Sequence, residues 1–220
     1  MERIIAQLQE KYPMTALDLG ELETVKKGSM RFTVRAYEAE GLGHISVMER
    51  RAFLMRGEML IINPFCVDAP LFVYDRTQAA GTDLLLCALY ETRLYQELPD
   101  DRFGDVLAQY GDLFDALGGE HWYDSLCVAE PICKKMPKKC SARMDALAWD
   151  YAKAYLRLLD EVQPCDRDRK RLAARTYTDG VLQNIGPSVE FYARVKGAEK
   201  ARKMVCDYLF GTGLPKEQSE

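Results

Sequence analysis

With 220 residues and 48% hydrophobic content, the chain has enough apolar mass for a sizeable core without disulfide or metal staples, and one large domain is expected. A net charge of −4 argues against a general nucleic-acid binder, since phosphate recognition leaves a strongly basic footprint. No run approaches the roughly 18 consecutive apolar residues that a membrane span requires, so no membrane association is expected.

Met1 to Tyr12 sets Ile4, Ile5 and Leu8 on one side and Glu2, Gln7 and Glu10 elsewhere, which predicts a short amphipathic helix rather than a signal sequence. Seven cysteines, at 66, 87, 127, 133, 140, 165 and 206, form an odd set in a chain without a secretory signal. They are expected to be reduced thiols in a reducing, cytoplasmic compartment.

From Arg31 to Leu94, short β-prone runs alternate with turn signals, which predicts an antiparallel meander of about five strands. Phe32, Val34 and Ala36 alternate with Arg31, Thr33 and Arg35, and Gly41 and Gly43 mark the turn that follows. In the next run, His44 to Phe53, His44, Ser46 and Met48 share one face and Ile45 and Val47 the other. Gly57 reads as the end of that run. Met59 to Ile62 is apolar on both faces, as in a central strand covered from both sides. Leu71 to Ala79 places Leu71, Val73, Asp75 and Thr77 on one face, and Gly81 leads into the Leu84 to Leu89 run.

After Pro99 the spacing becomes helical, beginning with Phe103, Val106, Leu107, Tyr110, Leu113 and Phe114 and stopping at Gly118-Gly119. Cys127 to Cys140 reads as irregular. Ser141 is expected to cap a long helix reaching Val162, and a second helix runs from about Asp166 to Asn184. Gly186-Pro187 reads as a stop followed by a first-turn proline, and two short helical segments end the chain. The reading is an α+β fold in one domain over residues 1–220, with the sheet mainly in 30–94 and the helices mainly in 100–210. An antiparallel sheet apolar on both faces needs helices above and below, so an α/β/α sandwich is expected.

No phosphate loop, GxGxxG, GxSxG, HExxH or CxxC occurs. The two histidines, His44 and His121, are candidates for proton transfer near neutral pH. The bland alternatives are a structural histidine and a surface-loop histidine. Asp75 is more unusual, because it puts a carboxylate inside an apolar strand run. Burial would raise its pKa toward that of a working acid, unless Arg76 or Arg35 pairs with it or it is exposed at a strand end. One intervening strand would separate the His44 and Asp75 strands by about 10 Å. The spacings of Cys127, Cys133 and Cys140 match no common zinc pattern, so no metal site is expected. Lys134, Lys135, Lys138 and Lys139 form a basic patch that could steer an acidic partner or be a solvated loop.

Pro70-Leu71-Phe72-Val73-Tyr74-Asp75 resembles the Pro-Leu-Phe-Gly-x-Asp strand of the ferredoxin-dependent bilin reductases. Gly43 to Glu49 is similar to the strand that carries the active-site histidine in the phycocyanobilin-forming branch of that family. Tyr177, Asn184, Gly197 and Tyr208-Leu209-Phe210 follow its C-terminal landmarks in order. Two positions depart from the pattern: Ile185 stands where the family has an acidic residue after the asparagine, and Arg35 or a neighbour replaces a strand glutamate.

The resemblance implies a linear tetrapyrrole bound between sheet and C-terminal helices, with no bound metal or flavin and with electrons arriving singly from reduced ferredoxin or flavodoxin. It implies proton donation by Asp75 and His44, pigment contacts from Asn184, Tyr177 and Arg35, and donor docking on the Lys134 to Lys139 patch of a monomer. The alternatives are a non-catalytic binder of a tetrapyrrole or other flat ligand on the same scaffold and, third, a thiol or metal protein.

Overall fold

In the computed structural model, residues 1–213 are described apart from 96, 99 and 114–120. The described strands are β1 (Met14–Ala16), β2 (Thr24–Lys27), β3 (Met30–Ala39), β4 (Gly43–Ala52), β5 (Met55–Asn63), β6 (Leu71–Ala79), β7 (Thr82–Tyr90) and β8 (Ile132–Pro137). They form one antiparallel sheet in the order β1-β3-β4-β5-β6-β7-β8, with β2 alongside β1 on the same edge of β3. The expected meander is β3 to β7. The sheet is wider than expected because β1, β2 and β8 add to its two edges, and β8 lies in the Cys127 to Cys140 stretch that reads as irregular. Gly57 does not end a strand either; it sits inside β5, paired with Arg50 of β4 and Thr77 of β6.

The helices are α1 (Glu2–Lys11), α2 (Arg102–Ala108), α3 (Ser141–Glu161), α4 (Arg167–Gln183), α5 (Pro187–Lys196) and α6 (Ala198–Lys203). The last continues into a π-helical turn, Met204–Leu209, whose widened bond runs from the Phe210 N–H to the Val205 carbonyl at 3.0 Å. α2 is shorter than the periodicity after Pro99 predicts, and Phe114 and Gly118-Gly119 lie outside the described residues. Ser141 is the first residue of α3 rather than its cap, whereas Asp166 caps α4 by accepting from the Arg169 N–H at 2.8 Å.

Period-two alternation divides the sheet's side chains between two cores. On one face Ile45, Val47, Leu60, Ile62, Phe72 and Leu85 pack with Ile4 and Leu8 of α1 and with Leu147, Tyr151 and Tyr155 of α3. On the other, Val34, Met48, Ile61, Leu71, Val73 and Ala88 pack with Tyr177 of α4, Tyr192 of α5 and Met204 to Phe210. The arrangement is the expected α/β/α sandwich. No helix among the described residues is long and apolar enough to cross a membrane.

The second face depends on where α4 begins. Lys170, fully buried, donates from Nζ to the Ala69 carbonyl at 2.5 Å and lies 3.5 Å from Asp68. Asp68 in turn accepts from the Leu94 and Tyr95 N–H groups at 2.6 and 2.9 Å. An ammonium removed from water needs such partners, and they pin the first turn of α4 to the β5–β6 connection.

Candidate active site

The registers across β3 to β8 line up Val34, Met48, Met59, Asp75, Leu86 and Cys133 as one row on the face covered by the C-terminal helices. Asp75 keeps 21% of its side chain exposed there, and Met59, Thr77, Leu84 and Leu86 around it are half-buried. Its partner is Arg50 of β4, and neither Arg76 nor Arg35. Arg50 Nη1 lies 3.2 Å from Oδ2, Nη2 donates to Oδ1, and Nη2 also reaches Thr77 Oγ1 at 3.2 Å. To get there the guanidinium crosses β5 at Gly57, where a Cβ would stand 2.6 Å from Arg50 Nε. A glycine inside a strand marks such a close approach. Burial raises the Asp75 carboxyl above the usual carboxylate range, against the opposing pull of Arg50.

His44 shares this face with Asp75 but is not beside it. It pairs with Asn63 of β5, whereas Asp75 pairs with Met59. The offset of four residues along the strands adds to the sideways spacing of about 10 Å and brings the backbone separation to about 16 Å. The shorter distance expected from strand order alone is corrected by the register.

The His44 ring is fully buried beneath the end of the π-helical turn. Its Nε2 donates to the Tyr208 carbonyl at 2.9 Å, Ser46 Oγ donates to the Leu209 carbonyl at 2.7 Å, and Asn63 Nδ2 donates to the Phe210 carbonyl at 2.8 Å. Three sheet donors thus take up three successive carbonyls left open at a helix C-terminus. Gly211 follows with φ +67°, and a Cβ on it would come 2.5 Å from His44 Cγ. Burial lowers the His44 pKa to about 4, the Tyr208 bond opposes that, and the nearby Arg171 charge adds to it. The ring is therefore neutral at pH 7, with a bare Nδ1 that has no hydrogen-bond partner among the described residues.

An aromatic group packs on the same face, with Tyr90 in register with Leu71, four residues along β6 from Asp75. Tyr177 of α4 stacks on Tyr90 with centroids 4.1 Å apart and lies 5.3 Å from Trp122 and 5.6 Å from Phe210. Trp122 rests on α4 at Gly180, where a Cβ would meet its ring at 2.1 Å. Burial raises the Tyr177 hydroxyl above the usual phenol range. Asn184 follows α4 as its exposed C-cap and donates from Nδ2 to the Gly180 carbonyl at 3.0 Å, and Ile185 beside it is 61% exposed.

Arg35 does not join this group. It lies on the opposite face, in register with Val47, is exposed, and pairs with Glu49 at 3.1 Å. The expectation that it contacts the same ligand is corrected by strand alternation. Lys135 sits on edge strand β8 with its side chain on the Asp75 face, Lys134 faces the other way, and Lys138 and Lys139 extend past the strand end. His121 stacks on Tyr123 at 5.1 Å and lies 3.6 Å from Asp124, near a loop surface. Arg50 is the site residue that sequence reasoning missed, and its readable signal was Gly57. Among the described residues no three His, Cys, Asp or Glu side chains cluster as metal ligands would.

A polar cavity of about 340 Å³ lies on the opposite face, lined by Met1, Arg3, Arg56, Glu58, Arg76 and Asp145. Several of its charges are already engaged. Arg76 binds Asp83 at 2.6 Å and also Asp145, and Glu58 accepts from the Tyr74 hydroxyl at 2.8 Å. The half-open shelf at Asp75 differs in offering a carboxyl with a raised pKa beside the half-buried apolar side chains of Met59, Leu84 and Leu86. That combination suits a flat, conjugated ligand needing a proton.

No protein-family model matches this sequence, and no curated protein matches it. Among solved structures, the chain is similar to phytochromobilin synthase from tomato, solved in complex with biliverdin. The TM-score is 0.74 and the identity 16%, over 96% of this chain and 83% of that one. The sequence resemblance is thereby borne out at the level of fold: this chain shares the α/β/α sandwich of that protein.

Proposed function

We propose that the protein binds a biliverdin-like linear tetrapyrrole between the sheet and the C-terminal helices and reduces it with electrons from ferredoxin or flavodoxin. The observation that carries the reading is Asp75, a carboxyl with raised pKa on the sheet face that the C-terminal helices cover, in a fold shared with a biliverdin-bound protein. Reduction of one double bond takes two electrons, delivered singly, and two protons. Asp75 would donate a proton as each added electron makes the pigment more basic, and solvent at the half-open edge would reprotonate it. Arg50 positions Asp75 and can stabilise the carboxylate left behind.

In this reading Tyr177 contributes an aromatic wall and Asn184 polar contacts at the mouth. The lysines at 134, 135, 138 and 139 attract the acidic electron donor. His44 serves first to hold residues 208–211 on the sheet, and direct proton donation by it would require release of the Tyr208 carbonyl. The test is anaerobic addition of biliverdin with and without reduced ferredoxin, followed by the visible spectrum. Asp75→Asn is expected to keep the binding-induced spectral shift and lose most of the reduction. Normal reduction by that variant would remove Asp75 from the chemistry.

The engagement of both Asp75 oxygens by Arg50 favours one other reading, a tetrapyrrole carrier without catalysis. Such a protein would shift the pigment spectrum and leave the pigment unconsumed in the presence of reduced ferredoxin.

A further inference from the structure

The antiparallel order brings the β2–β3, β4–β5 and β6–β7 turns and the end of β8 to one end of the sheet. The β4–β5 turn there consists of Phe53 and Leu54, exposed at 87% and 72%, a large apolar pair at a hairpin tip. Cations flank it on both sides: Lys26, Lys27 and Arg31 toward one edge, Arg51 and Arg56 on the hairpin itself, Lys138 and Lys139 toward the other.

Arg51 bonds Glu49 at 3.3 Å, but Lys26, Lys27, Arg31, Arg56, Lys138 and Lys139 are in no ion pair among the described residues. Asp83, the acidic residue nearest this end of β7, is fully buried against Arg76. From β3 to β8 the cationic edge spans about 24 Å at ordinary strand spacing. A groove of about 510 Å³ lies beside the hairpin tip, with Phe53, Leu54, Arg56, Ala80 and Lys138 on its walls.

In a chain of net charge −4, an unpaired cationic edge centred on exposed apolar side chains is a concentrated exception. Interfaces combine an apolar anchor with a charged rim that selects and steers the partner. We infer that this sheet end is a docking surface for an acidic protein, anchored by Phe53 and Leu54 and steered by cations from β2 to Lys139. The groove beside the tip gives such a partner a concave seat. The surface is wider than the lysine patch on β8, and its centre at the β4–β5 tip is separated from that patch by β6 and β7. Only the identification of the acidic protein as the electron donor rests on the function proposed above. If it is the donor, it docks at the end of the sheet toward which the Asp75 shelf is open.

The test uses the full chain and an acidic [2Fe–2S] ferredoxin as probe, with binding measured calorimetrically at low and high salt. Biliverdin affinity is measured separately by absorbance. Phe53→Ser with Leu54→Ser, Lys138→Glu with Lys139→Glu, and Arg31→Glu are each expected to weaken ferredoxin binding at least tenfold. Biliverdin affinity should stay unchanged, and Lys153→Glu on α3 should bind as the wild type does. Ferredoxin binding that is indifferent to the tip and to Arg31 would overturn the proposal. So would no binding of ferredoxin by the wild type, or tip-dependent binding to phosphatidylserine vesicles in its place. Tip-dependent ferredoxin binding by a protein that binds no biliverdin would uphold the docking surface and refute the pigment reading.

Discussion

His44 and Asp75 are polar residues on one sheet face whose pKa values move for the same reason, loss of water, and in opposite directions, because burial favours the neutral form of each. For His44 the folded value of about 4 lies below the ordinary value of about 6.5, so the unfolded chain takes up a proton first as pH falls. The stability tied to its neutral form is therefore fully present above pH 6.5 and is lost as pH falls toward 4. The slope amounts to about 2 kcal/mol between pH 7 and pH 5. Urea unfolding of wild type and His44→Gln at both values should show this difference in the wild type alone, since the glutamine amide can still donate to Tyr208 without titrating. An equal pH slope in the two proteins would mean that His44 is not the group responsible. At this scale the sequence placed His44 and Asp75 on strands separated by one other, because alternation and turn signals mark the strands, but it left open whether the two share a face, which the register decides. It did not show the four-residue offset, which depends on turn lengths, or the Arg50 partner, which depends on a side chain crossing an intervening strand.

Among the elements, the segment from the π-helical turn to Gly211 determines how much of the sheet face stays open. It lies flat because His44, Ser46 and Asn63 satisfy its terminal carbonyls and because Gly211 takes a positive φ with no side chain over the imidazole. Gly211→Ala would add left-handed backbone strain of about 1–2 kcal/mol and a clash with a buried ring. A total loss of at least about 2 kcal/mol is expected in urea unfolding, and a loss below 0.5 kcal/mol would mean the segment does not rest on His44 as described. Gly213→Ala is a poor control, because a Cβ there would meet Asp207 Oδ1 at 2.3 Å, whereas Gly28 has a clear surrounding but a positive φ of its own. Gly28→Ala therefore isolates the backbone contribution. The elements also show what patterning can miss. β3 to β7 carry enough apolar residues to declare their period, but β8 has only Ile132 and Met136 buried, with Cys133, Lys134 and Lys135 between them. Its strand conformation comes from pairing with β7, a tertiary effect that short polar segments do not announce.

For the whole molecule, the decisive question is which of the two sheet faces takes a ligand, since one offers a shelf at Asp75 and the other a polar cavity of about 340 Å³. A ligand that binds only the folded state stabilises it by about 2.7 kcal/mol at one hundred times its Kd. In a chain of this length that corresponds to a rise in Tm of about 5–10 °C. Biliverdin at saturating concentration is expected to produce such a rise in a thermal melt followed by circular dichroism. It should also quench the emission of Trp122, which stands 5.3 Å from Tyr177 on the shelf side. Leu86 is half-buried next to Asp75, so Leu86→Glu should fold while placing a charge on apolar contact surface, and the rise should fall to below 2 °C. Arg56→Ala combined with Gln78→Ala alters the wall of the opposite cavity and should leave the rise intact. If the second variant abolished the rise and the first did not, the pigment would sit against α1 and α3. Asp75 could not then reach it, since its side chain is on the other side of a continuous sheet.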